Sequence, residues 1–343
     1  MSVRRVGRHS LPAVVALAAG PVAVAAALFI LFLVLPGPGG RPAGAHPAAD
    51  SGPTRLATTA PAGDPSITRM PAAAGAAARS ASPSPSPSPS PPARTSTAAP
   101  HADPLAGAAA SYVSQRTGTV LAAVYDVRTG QTWRLGEGRA QPAASVVKLD
   151  VLETLLAQRR SGLSAANRSL AQLMIEDSDN DAATSLWYAA GGAAGLQAYN
   201  EAAGLTGTTP SPCVECTGFA WPGWGLTTTV PDDQIALLRE LIEPGPLLTP
   251  AERGYALSLL ENVTPSQRWG VSGGVPAQVT VALKNGWLPL DSADTDWQIN
   301  SVGWISGAGS DYLMAVLSTG NPTEQYGIDT INQLAAIVWN AMS

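Results

Sequence analysis

Ser145 and Lys148 are the residues of this sequence whose types and spacing most directly suggest chemistry. They open an apolar-periodic run (Val146, Val147, Leu149, Val151, Leu152, Leu155 and Leu156) that predicts a core helix after the loop Gln141-Pro142-Ala143-Ala144. Three residues apart, the two side chains share a helix face, and the amine can reach the hydroxyl oxygen. Unpaired N–H groups and the dipole at a helix N-terminus favour negative charge developing on that oxygen, while burial keeps a lysine neutral enough to act as a base. A helix cap followed by a solvated charge would read the same way, so the pair needs partners.

Two later segments supply them, Ser178-Asp179-Asn180 and Lys284-Asn285-Gly286. The chain holds 18 Arg but only two Lys, and these are Lys148 and Lys284. Arginine does not readily release its proton, so lysine is needed where an amine must act as a base or as a compact, tunable charge. The three His, at positions 9, 46 and 101, all precede the expected folded domain. Their absence from it excludes Ser-His-Asp and Cys-His catalysis and a histidine metal site there, and no metal or cofactor is expected.

The positioning elements begin far from this chemistry. Residues 1–10 carry Arg4, Arg5, Arg8 and His9, and an uncharged apolar run follows from Leu11 to Leu35. A run of that length predicts a membrane-spanning signal-anchor, with the basic end cytoplasmic and the remainder exported. Cleavage after Ala43-Gly44-Ala45, releasing a secreted protein, is the competing reading. No cysteine follows the run until Cys213, which argues against N-terminal lipid attachment. Residues 36–104 hold 16 of the 30 Pro among Ala, Ser, Thr and Gly, and read as a disordered linker that lifts the domain from a membrane toward a cell-wall layer.

The folded domain is expected over 105–343, with 12 basic and 22 acidic residues, whereas the first 104 residues hold 8 basic and 3 acidic. An acidic domain without a basic stripe argues against nucleic-acid binding. The pattern predicts a hairpin at Val120–Val127 and Thr132–Leu135, then the Ser145 helix. A helix capped by Ser164 and ending near Asp177 should follow, then helices over 181–190, 194–203, 232–242 and 250–262. Strands at 279–284, 298–306 and 312–319 and a helix over 323–341 close the chain. Strands at both ends of a helical middle imply an α+β fold, in which chain-distant strands form one antiparallel sheet flanked by helices and the middle forms an all-helical lobe.

From Thr119 to Ser343 this order of segments resembles the serine beta-lactamase and penicillin-binding family, in its class A-like branch, whose signature is Ser-x-x-Lys, Ser-Asp-Asn and Lys-Thr-Gly. Met174-Ile175-Glu176-Asp177, Gly191-Gly192 and Thr228-Thr229-Val230-Pro231 extend the likeness. The resemblance implies Ser145 as nucleophile toward a beta-lactam or an acyl-D-Ala type carbonyl, with Lys148 as its base. Ser178 would pass a proton to the departing nitrogen, Asn180 would hold the substrate's side-chain amide, and Lys284 would face its carboxylate beside Asn285 and Gly286. The backbone N–H groups of Ser145 and Trp287 would form the oxyanion hole.

Three departures bear on the reaction. Only 33 residues separate Ser145 from Ser178, so the helical lobe is expected to be trimmed. Asn285 stands where the family has a hydroxyl residue, and its longer amide would have to donate to the carboxylate instead. The loop Ser211 to Leu226 should supply the base for hydrolysis, yet its one acid is Glu215, with Phe219 four residues on where the family has an asparagine. Glu215 is a weak candidate, equally readable as a solvent-facing acid. Cys213 and Cys216 flank it and are expected to pair as a disulfide that stiffens the loop. Beta-lactam hydrolysis is ranked first from the sequence. A penicillin-binding or D-Ala-peptidase-like acyl enzyme that acts on cell-wall peptides and releases slowly is the alternative, and a non-catalytic wall-binding module is the third.

Overall fold

The computed structural model describes residues 101–159, 162–212, 214–215, 218 and 221–343. The expected span over 11–35, the linker up to residue 100 and the Cys213–Cys216 pairing fall outside these. Among the described residues no helix is long and apolar enough to cross a membrane.

Five strands form one antiparallel sheet in the order β2-β1-β7-β6-β5. They are β1 (Thr119–Asp126), β2 (Thr132–Leu135), β5 (Thr280–Pro289), β6 (Trp297–Gly307) and β7 (Ser310–Asn321), while β3 (Gln141–Pro142) pairs with β4 (Thr228–Thr229) in a short ribbon. The two ends of the domain meet where β1 pairs with β7, Ala123 opposite Ala315. That closure is the chain-distant pairing expected from strands flanking a helical middle.

The sheet is buried on both faces, and alternate residues divide between two cores. Ala123, Tyr125, Ala282, Leu313 and Ala315 face one side. There they pack with α2 (Val147–Gln158), α3 (Ala165–Glu176), α4 (Asn180–Ala189), α5 (Gly192–Ala203), α6 (Pro231–Ile242) and α7 (Pro250–Glu261). Val120, Val124, Leu283, Met314 and Val316 face the other side, against α1 (Ala108–Val113) and α8 (Glu324–Met342). Three of the helices begin at side-chain caps that the sequence supplies. Ser164 caps α3 by accepting from the Asn167 N–H, Asp179 caps α4 by accepting from the Ala182 N–H, and Thr249 with Glu252 forms a capping box on α7. The short α1 and the β3–β4 ribbon have no strong periodic signal, and the sequence reading does not contain them.

Two boundaries differ in a way that matters. Strand β5 runs on to Pro289, so Lys284-Asn285-Gly286-Trp287 lies within it and not at its end. As the edge strand it tolerates a terminal proline, whose missing N–H breaks no ladder. The Ser145 helix also begins differently, since Ala144–Val146 forms a single 3-10 turn before α2 starts at Val147.

Candidate active site

The turn that carries Ser145 is held from three sides. The Ala143 N–H donates to the Thr227 carbonyl at 2.7 Å, and Asn300 Nδ2 donates to the carbonyls of Pro142 and Ala143, each at 2.9 Å. Asn300 is aligned by Gln298, whose Nε2 donates to Asn300 Oδ1 at 2.6 Å and to Gln141 Oε1 at 2.9 Å. From below, β5 approaches so closely that a Cβ on Gly286 would lie 2.6 Å from the Ser145 nitrogen and 2.7 Å from that of Val146. Only glycine permits this contact, which brings the backbone of β5 beside the N–H of Ser145. Ala144, just before the nucleophile, has φ of 49°, and Ser178 has φ of 58°. Left-handed backbone at two non-glycine residues is strain the surroundings must impose, and it falls on both serines' turns.

Ser178 lies between two buried amines. Lys148 Nζ donates to the Ser178 carbonyl at 2.6 Å and to Asn180 Oδ1 at 2.8 Å, and it is hydrogen-bonded to the Ser178 hydroxyl at 3.1 Å. Lys284 Nζ donates to the same hydroxyl oxygen at 2.9 Å and to the Asn285 carbonyl at 2.9 Å. Lys148 is fully buried and Lys284 is 1 % exposed. Burial, with Lys284 nearby, holds the Lys148 amine well below the ordinary lysine range, against a smaller opposing pull from Asp179. Burial alone pushes Lys284 down to about 7. A neutral Lys148 has two N–H groups for the carbonyl and the amide, and its lone pair is left to accept from the Ser178 hydroxyl. That hydroxyl in turn accepts from Lys284, so a proton can move along Lys284, Ser178 and Lys148 without any group leaving its place.

The Ser145 side chain makes no hydrogen bond to another described residue and opens into a cavity of about 30 Å³ lined by Asn180, Trp221, Trp224, Trp287 and Leu288 among others. The expected direct contact between Ser145 and Lys148 is therefore absent in this state, because the amine is turned to Ser178 and Asn180.

Asn285 requires a correction. It faces away from Lys284 and Gly286, as strand alternation demands, and its Nδ2 donates to the carbonyls of Gln267 at 2.7 Å and Trp269 at 3.0 Å. The amide expected to meet a substrate carboxylate instead braces the segment before Val271, at 1 % exposure. Trp287 is partly exposed and rests edge-on against Trp269, with ring centroids 5.8 Å apart. Glu215 is exposed and makes no hydrogen bond or ion pair with another described residue.

What stands beside Lys148 is Trp224. Its ring centroid lies 5.0 Å from Nζ, its Nε1 donates to Thr184 Oγ1 at 3.0 Å, and it is 3 % exposed. Sequence reasoning missed Trp224, Thr184, Gln298 and Asn300. The 3-10 turn Gly223–Leu226 packs beside the Ser145 turn, and a Cβ on Gly225 would meet Ala144 Cα at 3.8 Å, an ordinary contact, so no local sequence signal marked this approach.

With this geometry in hand, the comparisons with known proteins are consistent. The model of the Beta-lactamase enzyme family matches residues 155–342, a span that contains Ser178 and Lys284 and begins beyond Ser145. Among curated proteins the chain is similar to LppW of Mycobacterium tuberculosis, named as a candidate lipoprotein, at 28% identity over 227 residues, 63% of this chain and 68% of the relative. Among solved structures it is similar to a class A beta-lactamase from Bacteroides cellulosilyticus, with a TM-score of 0.59 and 17% identity, covering 67% of this chain and 94% of that one. It is also similar to PBP-A, with a TM-score of 0.56 and 20% identity, covering 67% and 92%. At these identities the likeness to solved structures establishes the fold.

Proposed function

Because this chain belongs to the Beta-lactamase enzyme family, we propose that its domain is a serine acyl enzyme that opens a beta-lactam or an acyl-D-Ala type amide and releases the acyl group slowly. The observation that carries this reading is the chain Lys148–Ser178–Lys284, two buried amines on one hydroxyl beside the Ser145 cavity. Ser145 Oγ attacks the carbonyl carbon, and its proton goes to the lone pair of Lys148. As the C–N bond breaks, Ser178 gives its proton to the departing nitrogen, and Lys148 returns one to Ser178, so the balance is one proton moved from Ser145 to the leaving amine. Lys284 supplies positive charge for a substrate carboxylate and Asn180 a side-chain amide for its acyl group. The N–H groups of Ser145 and Trp287 serve as the oxyanion hole.

Slow release is favoured over hydrolysis, the reading ranked first from sequence, because among the described residues no carboxylate contacts Ser145 or Lys148. Glu215 is exposed and bonds to no other described residue, so it offers no positioned carboxylate to activate water. The substrate class rests on relatives named as beta-lactamases and on PBP-A. For placement in the cell, we extend the proposal to an envelope protein anchored through residues 11–35 and spaced from the membrane by residues 36–104, in proximity to peptidoglycan. A relative named as a candidate lipoprotein supports envelope attachment, and the lack of any cysteine before Cys213 favours the apolar run as the means.

Intact mass spectrometry of the protein mixed with benzylpenicillin tests this directly. The expected result is a gain equal to the whole penicillin, still present after free drug is removed, and absent from Ser145→Ala. An unmodified wild type, or a modified Ser145→Ala, contradicts the assignment of the nucleophile.

A further inference from the structure

We propose that Trp224 selects the acyl acceptor at Ser145 by keeping water out of the space beside Lys148, an inference that rests on the acyl-serine reading above. Hydrolysis of the ester requires a water oxygen to bond to the acyl carbon while the bond to Ser145 Oγ breaks. One water proton must pass to a base and one must return to Ser145, leaving a free carboxylic acid. The basic atom available is Lys148 Nζ, and a water between it and the acyl carbon needs both room and a second polar partner.

On its side of the amine, Trp224 supplies neither. Its ring lies 5.0 Å from Nζ and is 3 % exposed, so that side of the amine faces aromatic carbon. The polar atom of the indole is a donor only, and it is already given to Thr184 Oγ1 at 3.0 Å. No acceptor remains on the ring to orient a water. The cavity at Ser145 is small, about 30 Å³, and an acyl group on Oγ would occupy it. The ring is also fixed in place. The Thr227 N–H donates to the Trp224 carbonyl at 3.1 Å, and Thr227 in turn accepts from Ala143 beside the nucleophile. Trp224 is thus tied to α4 through Thr184 and to the nucleophile turn through Thr227.

The test compares formation and decay of the benzylpenicillin adduct in the wild type, Trp224→Ala, Trp224→Phe and Thr184→Val, with folding checked by circular dichroism. Trp224→Ala should accelerate decay by about tenfold or more, a part of the general-base factor of 10²–10⁴ that water regains once it can reach Lys148. Formation should change far less, Trp224→Phe should decay as slowly as wild type, and Thr184→Val should fall between. Decay unchanged in Trp224→Ala, or formation and decay falling together, overturns the proposal while the acyl-serine reading stands. If Trp224→Ala does not fold, Thr184→Val decides: faster decay supports the role of Trp224 and unchanged decay overturns it. A wild type that forms no adduct refutes the underlying function and the proposal with it.

Discussion

Two stretches of α2 bury ionisable side chains, and burial acts on them in opposite ways. At the start of the helix, Lys148 with Lys284 across from it loses affinity for protons, so a lone pair becomes available beside Ser178. Within the next five residues of the same helix, Asp150 and Glu153 gain affinity for protons, Asp150 pushed up to about 7 by burial and Glu153 well above its ordinary range for the same reason. Both are enclosed by polar partners. Asn200 Nδ2 donates to Asp150 Oδ2 at 3.1 Å, Thr154 Oγ1 to Asp150 Oδ1 at 3.3 Å, and the Tyr199 hydroxyl to Glu153 Oε2 at 2.7 Å. Asp233 and Glu240 of α6 add like charge from the next helix.

The comparison teaches what separates a reactive cluster from a structural one. Both are buried and both are shifted, so neither property distinguishes them. The amine cluster adjoins strained backbone at Ala144 and Ser178 and a cavity that reaches the nucleophile. The acid cluster sits among α2, α5 and α6 with regular helix geometry, Asp150 and Glu153 both buried. Under the proposed function, access and preorganisation distinguish the first, and enclosure the second.

The largest expected effect breaks the reactive side alone. Lys148→Ala should slow acylation by penicillin by about 10²- to 10⁴-fold, the usual worth of a positioned base. Rapid acylation of that variant would mean that α2 carries two structural clusters and that the base lies elsewhere.

A smaller effect sharpens the other side. Asp150 binds its proton more tightly in the folded state than at its ordinary value of 3.8, so its contribution to stability is lost as pH rises from about 4 toward 7. Lys284 binds its proton less tightly than at its ordinary value of 10.5, so stability is regained as pH rises from about 7 toward 10.5. Melting temperature should therefore pass through a minimum near neutral pH. Asp150→Asn should make the acid limb shallower, leaving the part that Glu153 contributes, and leave the alkaline limb in place. A curve unchanged by that variant would remove Asp150 from the account.

Much of this was legible in the sequence, and the rest was hidden for identifiable reasons. The sheet and most helices followed from apolar periodicity, lysine's rarity singled out Lys148 and Lys284, and the family resemblance grouped them with Ser178 and Asn180; the structure hydrogen-bonds Lys148 to Ser178 and Asn180, and Lys284 to Ser178. The side facing of Asn285 was misjudged because a motif was treated as a unit, whereas period-two alternation sends Lys284 and Asn285 to opposite faces. The burial of Asp150 and Glu153 was not foreseen because a helix with polar positions looks half solvated. Here α2 is enclosed on every side, a tertiary fact no local pattern contains. Trp224 escaped notice because its role depends on where a loop folds back, not on the residues next to it.

The central claim is that burial turns Lys148 into a base, and the rate of Ser145 acylation by benzylpenicillin between pH 5 and pH 10 tests it most directly. The account predicts that acylation reaches its full rate well below pH 10.5, because burial holds the proton affinity of the controlling amine well below the ordinary lysine range. A rate that climbs only as pH approaches that ordinary value would show Lys148 protonated in the resting site, and would contradict it.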